Sequence, residues 1–176
     1  MHTTFPTLDE WLTYCERLHP QNIALGLDRV RTVAQRMELH FDCPVITVAG
    51  TNGKGSTCAF LRAIGEAAGL RVHVYTSPHL VRFNERIRLA GTLVEDAALD
   101  AALEEVERVN AGQPITVFEV LMAAAFVLFA RVSADLCVLE VGLGGRADAT
   151  NIIPPPAAAA ITSISLDHKE MLGETV

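Results

Sequence analysis

The residues with the clearest chemical potential form the glycine-rich stretch GTNGKGST, residues 50–57. A short β-branched run, VITVA, precedes it and a helical pattern follows it, which is the strand–loop–helix context of a phosphate-binding loop. Glycines let backbone N–H groups converge on phosphate oxygens, and a lysine supplies a charge for the β- and γ-phosphates. We predict a nucleotide-binding loop, rather than a glycine-rich turn without a ligand, made of Gly50, Thr51, Asn52, Gly53, Lys54, Gly55, Ser56 and Thr57.

One position departs from the usual phosphate-loop motif. Gly55 follows Lys54, where a serine or threonine normally reaches Mg²⁺. The hydroxyl is therefore displaced to Ser56 or Thr57, and we expect groups from elsewhere in the chain to complete the ligands of the metal.

Polar side chains also follow the next predicted strand. The segment SPHLVRFNERI, residues 77–87, contains a hydroxyl, an imidazole, two arginines and a carboxylate directly after the run RVHVYT. Ligands of parallel α/β sheets bind at the carboxyl ends of the strands, which favours a binding role. The alternative is a solvated turn, since Ser-Pro and Asn commonly form turns.

Two further candidates end later predicted strands. Glu140 closes the apolar run ADLCVLE, where a carboxylate beside a phosphate loop is well placed to hold Mg²⁺. The alternative for Glu140 is a buried carboxylate satisfied by backbone N–H groups. His168 comes after the run AAAAITSIS, at the same edge of the sheet, which favours a ligand role over the alternative of an ordinary polar loop residue.

These residues require an alternating α/β framework to bring them together. A T-x-x-E capping box at Thr7 predicts a first helix with Trp11, Leu12 and Leu18 on its apolar side. Apolar periodicity predicts further helices over residues 27–39, 54–68, 93–110 and 116–132. Apolar runs predict strands over 44–50, 71–76, 134–142 and, after the break IPPP, 157–165, with a short edge strand at 87–91. Such alternation indicates right-handed βαβ units and a mostly parallel sheet flanked by helices.

Composition narrows the class of protein. The chain has 176 residues, half of them hydrophobic, and a formal net charge of −7 without a basic run, which argues against a nucleic-acid-binding surface. Four scattered cysteines are typical of reduced thiols in the cytoplasm. The apolar run 120–130 is about half the ~20 residues that span a bilayer, and the first residues do not resemble a signal peptide. We expect a cytoplasmic monomer that binds small molecules.

Five segments, in this order, resemble the folylpolyglutamate synthase/dihydrofolate synthase family of the Mur-ligase superfamily. They are TVAGTNGKGST, YTSPHLVRFNERI, TVFE, LEVGLGGRADATN and ITSISLDH, and the resemblance extends from about Ile23 to the end of the chain. In this family a glycine follows the lysine of the phosphate-binding loop. The resemblance therefore implies that Gly55 is a characteristic residue of the family motif.

The resemblance implies a P-loop NTPase-like α/β fold and an ATP-dependent ligase. In this family ATP phosphorylates a carboxylate of dihydropteroate or a folate, and the amino group of L-glutamate attacks the acyl phosphate. Lys54, Glu140 and His168 match its catalytic positions, and Ser77, Glu140 and His168 match its Mg²⁺ ligands. The positions that match its pterin and folate site are Pro78, His79, Arg82, Asn84, Glu85, Arg86, Phe118, Asp148 and Ala149.

Members of the family continue beyond the point that corresponds to Val176. We therefore expect a truncated member: a helical segment over residues 1–42, part of the ATP-binding domain over 43–176, no C-terminal glutamate-ligase domain, and negligible ligase activity of the isolated chain. Three alternatives remain: a related ligase acting on a cell-wall precursor, a non-catalytic ATP-binding remnant, and a P-loop kinase or GTPase. The segment SPHL…NERI argues against the first, and the pair Glu140 and His168 argues against the last.

Overall fold

The computed structural model of the chain describes residues 5–21, 24–40, 42–153 and 155–176. Ile23, where the resemblance begins, and Pro154, in the break before the last predicted strand, lie outside the described residues. Within the described ranges the chain forms the mixed α/β architecture that the sequence predicts.

Six strands form one sheet in the order β4-β3-β2-β5-β1-β6. Strands β2, β5, β1 and β6 run parallel, while β3 and β4 form an antiparallel hairpin at one edge. The prediction of a mostly parallel sheet is therefore confirmed. The strands are β1 (Val45–Ala49), β2 (Val72–Tyr75), β3 (Ile87–Leu89), β4 (Thr92–Leu93), β5 (Leu136–Glu140) and β6 (Ala158–Ile161).

Helix α5 is the centre of the larger hydrophobic core. Every residue from 119 to 129 is buried, between the sheet and the helices α1, α2 and α4. Among the described residues, no helix combines the length and the apolarity needed to cross a bilayer. The helices are α1 (Leu8–Leu18), α2 (Asp28–Arg36), α3 (Lys54–Ala67), α4 (Asp96–Asn110), α5 (Val117–Arg131) and the short α6 (Lys169–Leu172).

The first helix confirms part of the predicted capping box. Thr7 caps α1, and its hydroxyl accepts a hydrogen bond from the backbone N–H of Glu10. Trp11 is buried, whereas Leu12 and Leu18 are only partly buried against the same core.

The structure corrects two of the predicted strands. Residues 87–91 are not the edge of the sheet, because Ala90 and Gly91 adopt positive φ and turn the chain back into β4. This two-residue turn matches the twist of the flanking strands. The predicted strand 157–165 ends at Ile161: Thr162 still donates to the carbonyl of Ala49 at the end of β1, but Ser163 and Ser165 bond to the glycine-rich loop instead.

A buried histidine links the hairpin to the end of α5. His73 on β2 is 1% exposed, and its Nδ1 accepts a hydrogen bond from the Ala90 N–H at 3.0 Å. The ring is therefore protonated at Nε2, which donates to the Val132 carbonyl at 2.7 Å. Burial lowers the pKa of His73 below its ordinary value of 6.5.

We predict that His73 makes the fold sensitive to acid. Below pH ~6.5 the unfolded chain binds a proton that the folded chain resists, so stability falls by at most roughly 1.4 kcal/mol per pH unit. Urea unfolding at pH 7.5 and 5.5 should show a smaller pH dependence for His73→Gln than for the wild type. The exposed His40→Gln is the control, and an undiminished pH dependence in His73→Gln would contradict the prediction.

Candidate functional site

The glycine-rich loop, residues 50–57, connects the end of β1 to the start of α3. Gly50 has a φ of +132°, and a Cβ at this position would lie 2.0 Å from Oγ1 of Thr162. Gly53 has a φ of +87° and directly precedes α3, which begins at Lys54. The backbone of the loop thus requires glycine at position 50, where it passes Thr162. The last residues of the loop form the first turn of α3, whose first backbone N–H groups have no partner within the helix.

The segment after β6 holds the glycine-rich loop in place. The N–H of Thr51 donates to the Ser163 carbonyl at 2.8 Å. The Thr51 hydroxyl donates to the Ser165 carbonyl and accepts from the Ser165 N–H, both at 3.1 Å. Residues 163–165, which the sequence analysis predicted as part of a strand, therefore hold the loop from a position more than 100 residues later in the chain.

The side chains of the loop have different surroundings. Nζ of Lys54 donates to the carbonyls of Gly50 and Thr51, at 2.8 and 3.2 Å. The Thr57 hydroxyl donates to the Gly53 carbonyl at 2.9 Å, within the first turn of the helix. The exposed Ser56 lines a groove beside Glu140. Of the two hydroxyls that the sequence left open, Ser56 is therefore the one that lines the same groove as Glu140.

Glu140 ends β5 directly beside the glycine-rich loop. Its carboxylate is almost buried, and Oε2 accepts a hydrogen bond from the Ser77 N–H at 3.1 Å. A Cβ at Gly55 would lie 3.7 Å from both carboxylate oxygens, so a larger side chain there would take up space in front of them. Burial raises the pKa of Glu140, against the opposing effects of the Ser77 N–H and the charge of Lys54.

The second half of the loop, Ser77 and Glu140 line one groove, which we call the Glu140 groove, whereas Gly50, Thr51 and Lys54 line a neighbouring cavity together with His168. It has a volume of about 680 Å³. The residues of the loop and of the strand ends that line it are Gly53, Gly55, Ser56, Ser77 and Glu140.

The predicted metal ligands are only partly brought together. Ser77 and Glu140 meet at the groove, whereas His168 lines two neighbouring cavities and is half exposed. In the described ranges, no three His, Cys, Asp or Glu side chains are grouped so as to hold a metal. A carboxylate and a hydroxyl are hard oxygen donors that suit Mg²⁺, which usually binds through one or two carboxylates together with water and phosphate oxygens.

A second cavity, which we call the central cavity, adjoins the groove at Ser77. It has a volume of about 260 Å³ and a largely apolar wall that includes the ring of Phe118. That ring lies against the backbone of Gly142, where a Cβ would be 2.6 Å from the ring. The predicted site residues that line the cavity are Ser77, Pro78, Arg86, Phe118, Asp148, Ala149 and His168.

Asp148 shapes one wall of the central cavity through its own hydrogen bonds. Oδ2 accepts from the Leu143 N–H at 2.9 Å, and Oδ1 accepts from the hydroxyl and the N–H of Thr150 at 2.6 and 3.0 Å. Burial raises the pKa of Asp148, and these hydrogen bonds oppose that effect. The carboxylate therefore also organises the loop between β5 and the following 3₁₀ turn.

The remaining predicted substrate residues lie outside the central cavity. Glu85 accepts the backbone N–H groups of Leu80, Val81 and Arg82, and these bonds lower its pKa. The buried Asn84 donates to the Val94 carbonyl and to Asp96. His79 accepts from Nε of Arg86 at 3.0 Å. The hydrogen bonds of Glu85 and Asn84 therefore stabilise the conformation of residues 77–87, while His79 contacts Arg86, which lines the central cavity.

Part of the cavity wall was not predicted from the sequence. The additional lining residues are Ala24, Leu25, Gly26, Thr116, Glu119, Gly142, Leu143 and Ala147. The T-x-x-E spacing of Thr116 and Glu119 is a capping-box signal that could have located this end of α5. For residues 24–26 we find no comparable local signal.

Known proteins resemble the chain in sequence and in structure. A dihydrofolate synthase/folylpolyglutamate synthase of Haemophilus influenzae is 47% identical over 169 residues, which are 96% of this chain and 38% of that protein. Escherichia coli FolC in complex with DHPP and ADP superimposes with a TM-score of 0.91 at 47% identity, over 96% of this chain and 41% of that one. No protein-family model matches the chain.

A third comparison concerns a metal-bound relative. The bifunctional folylpolyglutamate synthase/dihydrofolate synthase of Yersinia pestis, complexed with AMPPNP and Mn ion, superimposes with a TM-score of 0.88 at 47% identity. The match covers 98% of this chain and 42% of that one.

The fold and the site define an α/β protein with a mostly parallel sheet and a glycine-rich loop at its carboxyl edge. More specifically, the chain is homologous to the N-terminal part of the bifunctional dihydrofolate synthase/folylpolyglutamate synthase family. It spans about two fifths of the length of the relatives it matches.

We predict that Gly50→Ala destabilises the chain by more than an ordinary replacement of a glycine with positive φ. The variant adds a steric conflict with Thr162 to the cost of a left-handed backbone, which is roughly 1–2 kcal/mol for a non-glycine residue. Gly145→Ala, with a φ of +151° and open space around the Cβ, is the matched control. Equal losses of unfolding free energy in urea would show that the contact with Thr162 is unimportant.

Proposed function

We propose that the chain carries the ATP-binding and acid-binding part of an ATP-dependent amide ligase that adds L-glutamate to dihydropteroate, to folates or to both. One observation carries this proposal: the groove beside the glycine-rich loop and the central cavity with its aromatic wall adjoin at Ser77. A phosphoryl group bound in the groove would therefore lie beside the carboxylate of a substrate whose ring system occupies the cavity. The relatives that match the chain carry the names of enzymes of this kind.

The glycine-rich loop would bind the phosphates of ATP. Its backbone N–H groups and the start of α3 favour negative charge, and Lys54 is close enough to exchange its bonds to loop carbonyls for bonds to phosphate oxygens. Phosphoryl transfer depends on positioning and on neutralising charge, so these groups supply what the step requires.

Ser77, Glu140 and the hydroxyl of Ser56 are the oxygen donors that would hold Mg²⁺ in the groove. When bound, the metal ion would neutralise charge on the phosphates. An almost buried carboxylate with a raised pKa fits this role because a cation stabilises its ionised form. His168 remains a predicted ligand and catalytic residue on the basis of the family resemblance, although it lines the neighbouring cavities.

The acid substrate would place its aromatic ring against Phe118 in the central cavity. Transfer of the γ-phosphoryl group to its carboxylate gives an acyl phosphate and ADP. The amino group of glutamate then attacks the carbonyl carbon, phosphate leaves, and the amine loses a proton as the amide forms. Arg86 lines this cavity, where its positive charge would attract a carboxylate.

Two expected alternatives have less support. A ligase acting on cell-wall precursors is disfavoured because the matching relatives are named for folate substrates. A non-catalytic ATP-binding protein would have the same loop, so turnover decides between it and the ligase. We also infer that a cytoplasmic monomer with small-molecule substrates, rather than nucleic acid or a membrane, suits the net charge of −7 and the four free cysteines.

We predict that the chain binds AMPPNP with Mg²⁺ and that Lys54→Met weakens this binding at least tenfold, because the variant removes the charge that faces the phosphates. Isothermal titration calorimetry measures the affinity. Arg108→Met, which removes an exposed cation on α4, should bind as the wild type does. Retention of full affinity in Lys54→Met would refute the role of the loop.

We predict that Glu140→Gln raises the thermal stability of the chain but weakens the effect of Mg²⁺ on AMPPNP binding. The variant keeps an acceptor for the Ser77 N–H but removes a buried charge, so its melting temperature at pH 7 should rise. Its AMPPNP affinity should respond much less to Mg²⁺ than that of the wild type. Glu170→Gln, an exposed carboxylate on α6, is the control, and an unchanged Mg²⁺ response in Glu140→Gln would remove this residue from the metal site.

A further inference from the structure

Residues 24–26 form a wall of the central cavity without belonging to a helix or a strand. They lie just before α2 and line the cavity together with Phe118. Two contacts with the rest of the protein fasten them. The Gly26 N–H donates to the Ala147 carbonyl at 3.3 Å, and Nη2 of Arg29 donates to the Ala24 carbonyl at 2.7 Å.

The guanidinium of Arg29 joins this wall to the start of α5. Its Nε lies 3.1 Å from Oε2 of Glu119, and its Nη2 lies 3.1 Å from Oε1 of the same carboxylate. The Arg29 side chain is 30% exposed and that of Glu119 is 4% exposed, so water screens this ion pair only partly. One guanidinium therefore holds both a carboxylate on α5 and a carbonyl of the wall.

Glu119 is itself held rigidly. Its Oε2 accepts the N–H and the hydroxyl of Thr116, at 2.8 and 2.9 Å, in the capping box at the start of α5. The neighbouring Phe118 forms the aromatic wall of the cavity. Arg29 thus fixes residues 24–26 relative to the same turn of α5 that presents the aromatic ring.

We propose that Arg29 is a positioning residue for the ligand of the central cavity: it clamps residues 24–26 to α5 and so sets the width of the slot beside Phe118. Arg29 does not line the cavity, so it acts through the wall. The ligand class, a pterin ring that carries a benzoate, rests on the proposed function. A planar fork of donors is needed because a lysine ammonium cannot hold Oε2 of Glu119 and the Ala24 carbonyl at the same time with fixed geometry.

Amide hydrogen exchange and ligand titration of the 176-residue chain test the proposal. In Arg29→Gln, the Gly26 amide should exchange at least tenfold faster, and the affinity for 7,8-dihydropteroate should fall at least tenfold. The affinity for AMPPNP should stay within twofold, which also reports that the variant is folded. Arg29→Lys should recover part of both losses, and Arg31→Gln, an exposed arginine of the same helix, should change neither quantity.

The outcomes separate this proposal from the proposed function. Unchanged exchange at Gly26 in Arg29→Gln would overturn the clamp, and faster exchange with unchanged dihydropteroate affinity would overturn its role in binding. A wild-type chain that binds no dihydropteroate would contradict the proposed function and the ligand class named here. The exchange rates would still decide, without any ligand, whether Arg29 holds the wall.

Discussion

Strand β1 pairs with β5 in parallel, with Val48 opposite Glu140, and this register determines which groups meet at the edge of the sheet. The glycine-rich loop leaves β1 one residue later and passes directly in front of the carboxylate. Strand β2 lies on the other side of β5, so the backbone of Ser77 reaches the same carboxylate. A slip of one residue would turn Glu140 toward the opposite face of the sheet, and the groove would lose the carboxylate that ends β5.

The position of the loop in front of the Glu140 carboxylate also explains why residue 55 is a glycine. A side chain there would point at both oxygens of Glu140 from the ordinary contact distance of 3.7 Å. The usual phosphate loop places a hydroxyl at this position, whereas here the space in front of the carboxylate is left open and the hydroxyls of Ser56 and Ser77 lie at its margin. Because burial raises the pKa of Glu140, its ionised carboxylate destabilises the folded chain when no cation is bound. Such perturbed groups are common at functional sites, including those that bind a cation.

Local patterns in the sequence were sufficient for the framework and for the residues at strand ends. The parallel sheet, the buried helix α5, the loop after β1 and the position of Glu140 at the end of β5 could all be predicted, since each depends on short-range periodicity and on one rule about strand ends. Contacts between segments that are distant in the sequence could not be predicted in this way. Residues 163–165 have the composition of a strand, yet they hydrogen-bond to Thr51 of the glycine-rich loop. Nothing local in residues 24–26 indicates that Arg29 connects them to Glu119.

We propose that the loop and the two cavities form the activating half of a glutamate ligase. The most direct measurement uses a chimera in which this chain replaces the matching N-terminal part of the Escherichia coli relative, with and without Lys54→Ala. We expect that ADP release requires both 7,8-dihydropteroate and L-glutamate and is lost in the Lys54 variant. A folded chimera that binds AMPPNP but releases no ADP in response to these substrates, or that retains activity without Lys54, would contradict it.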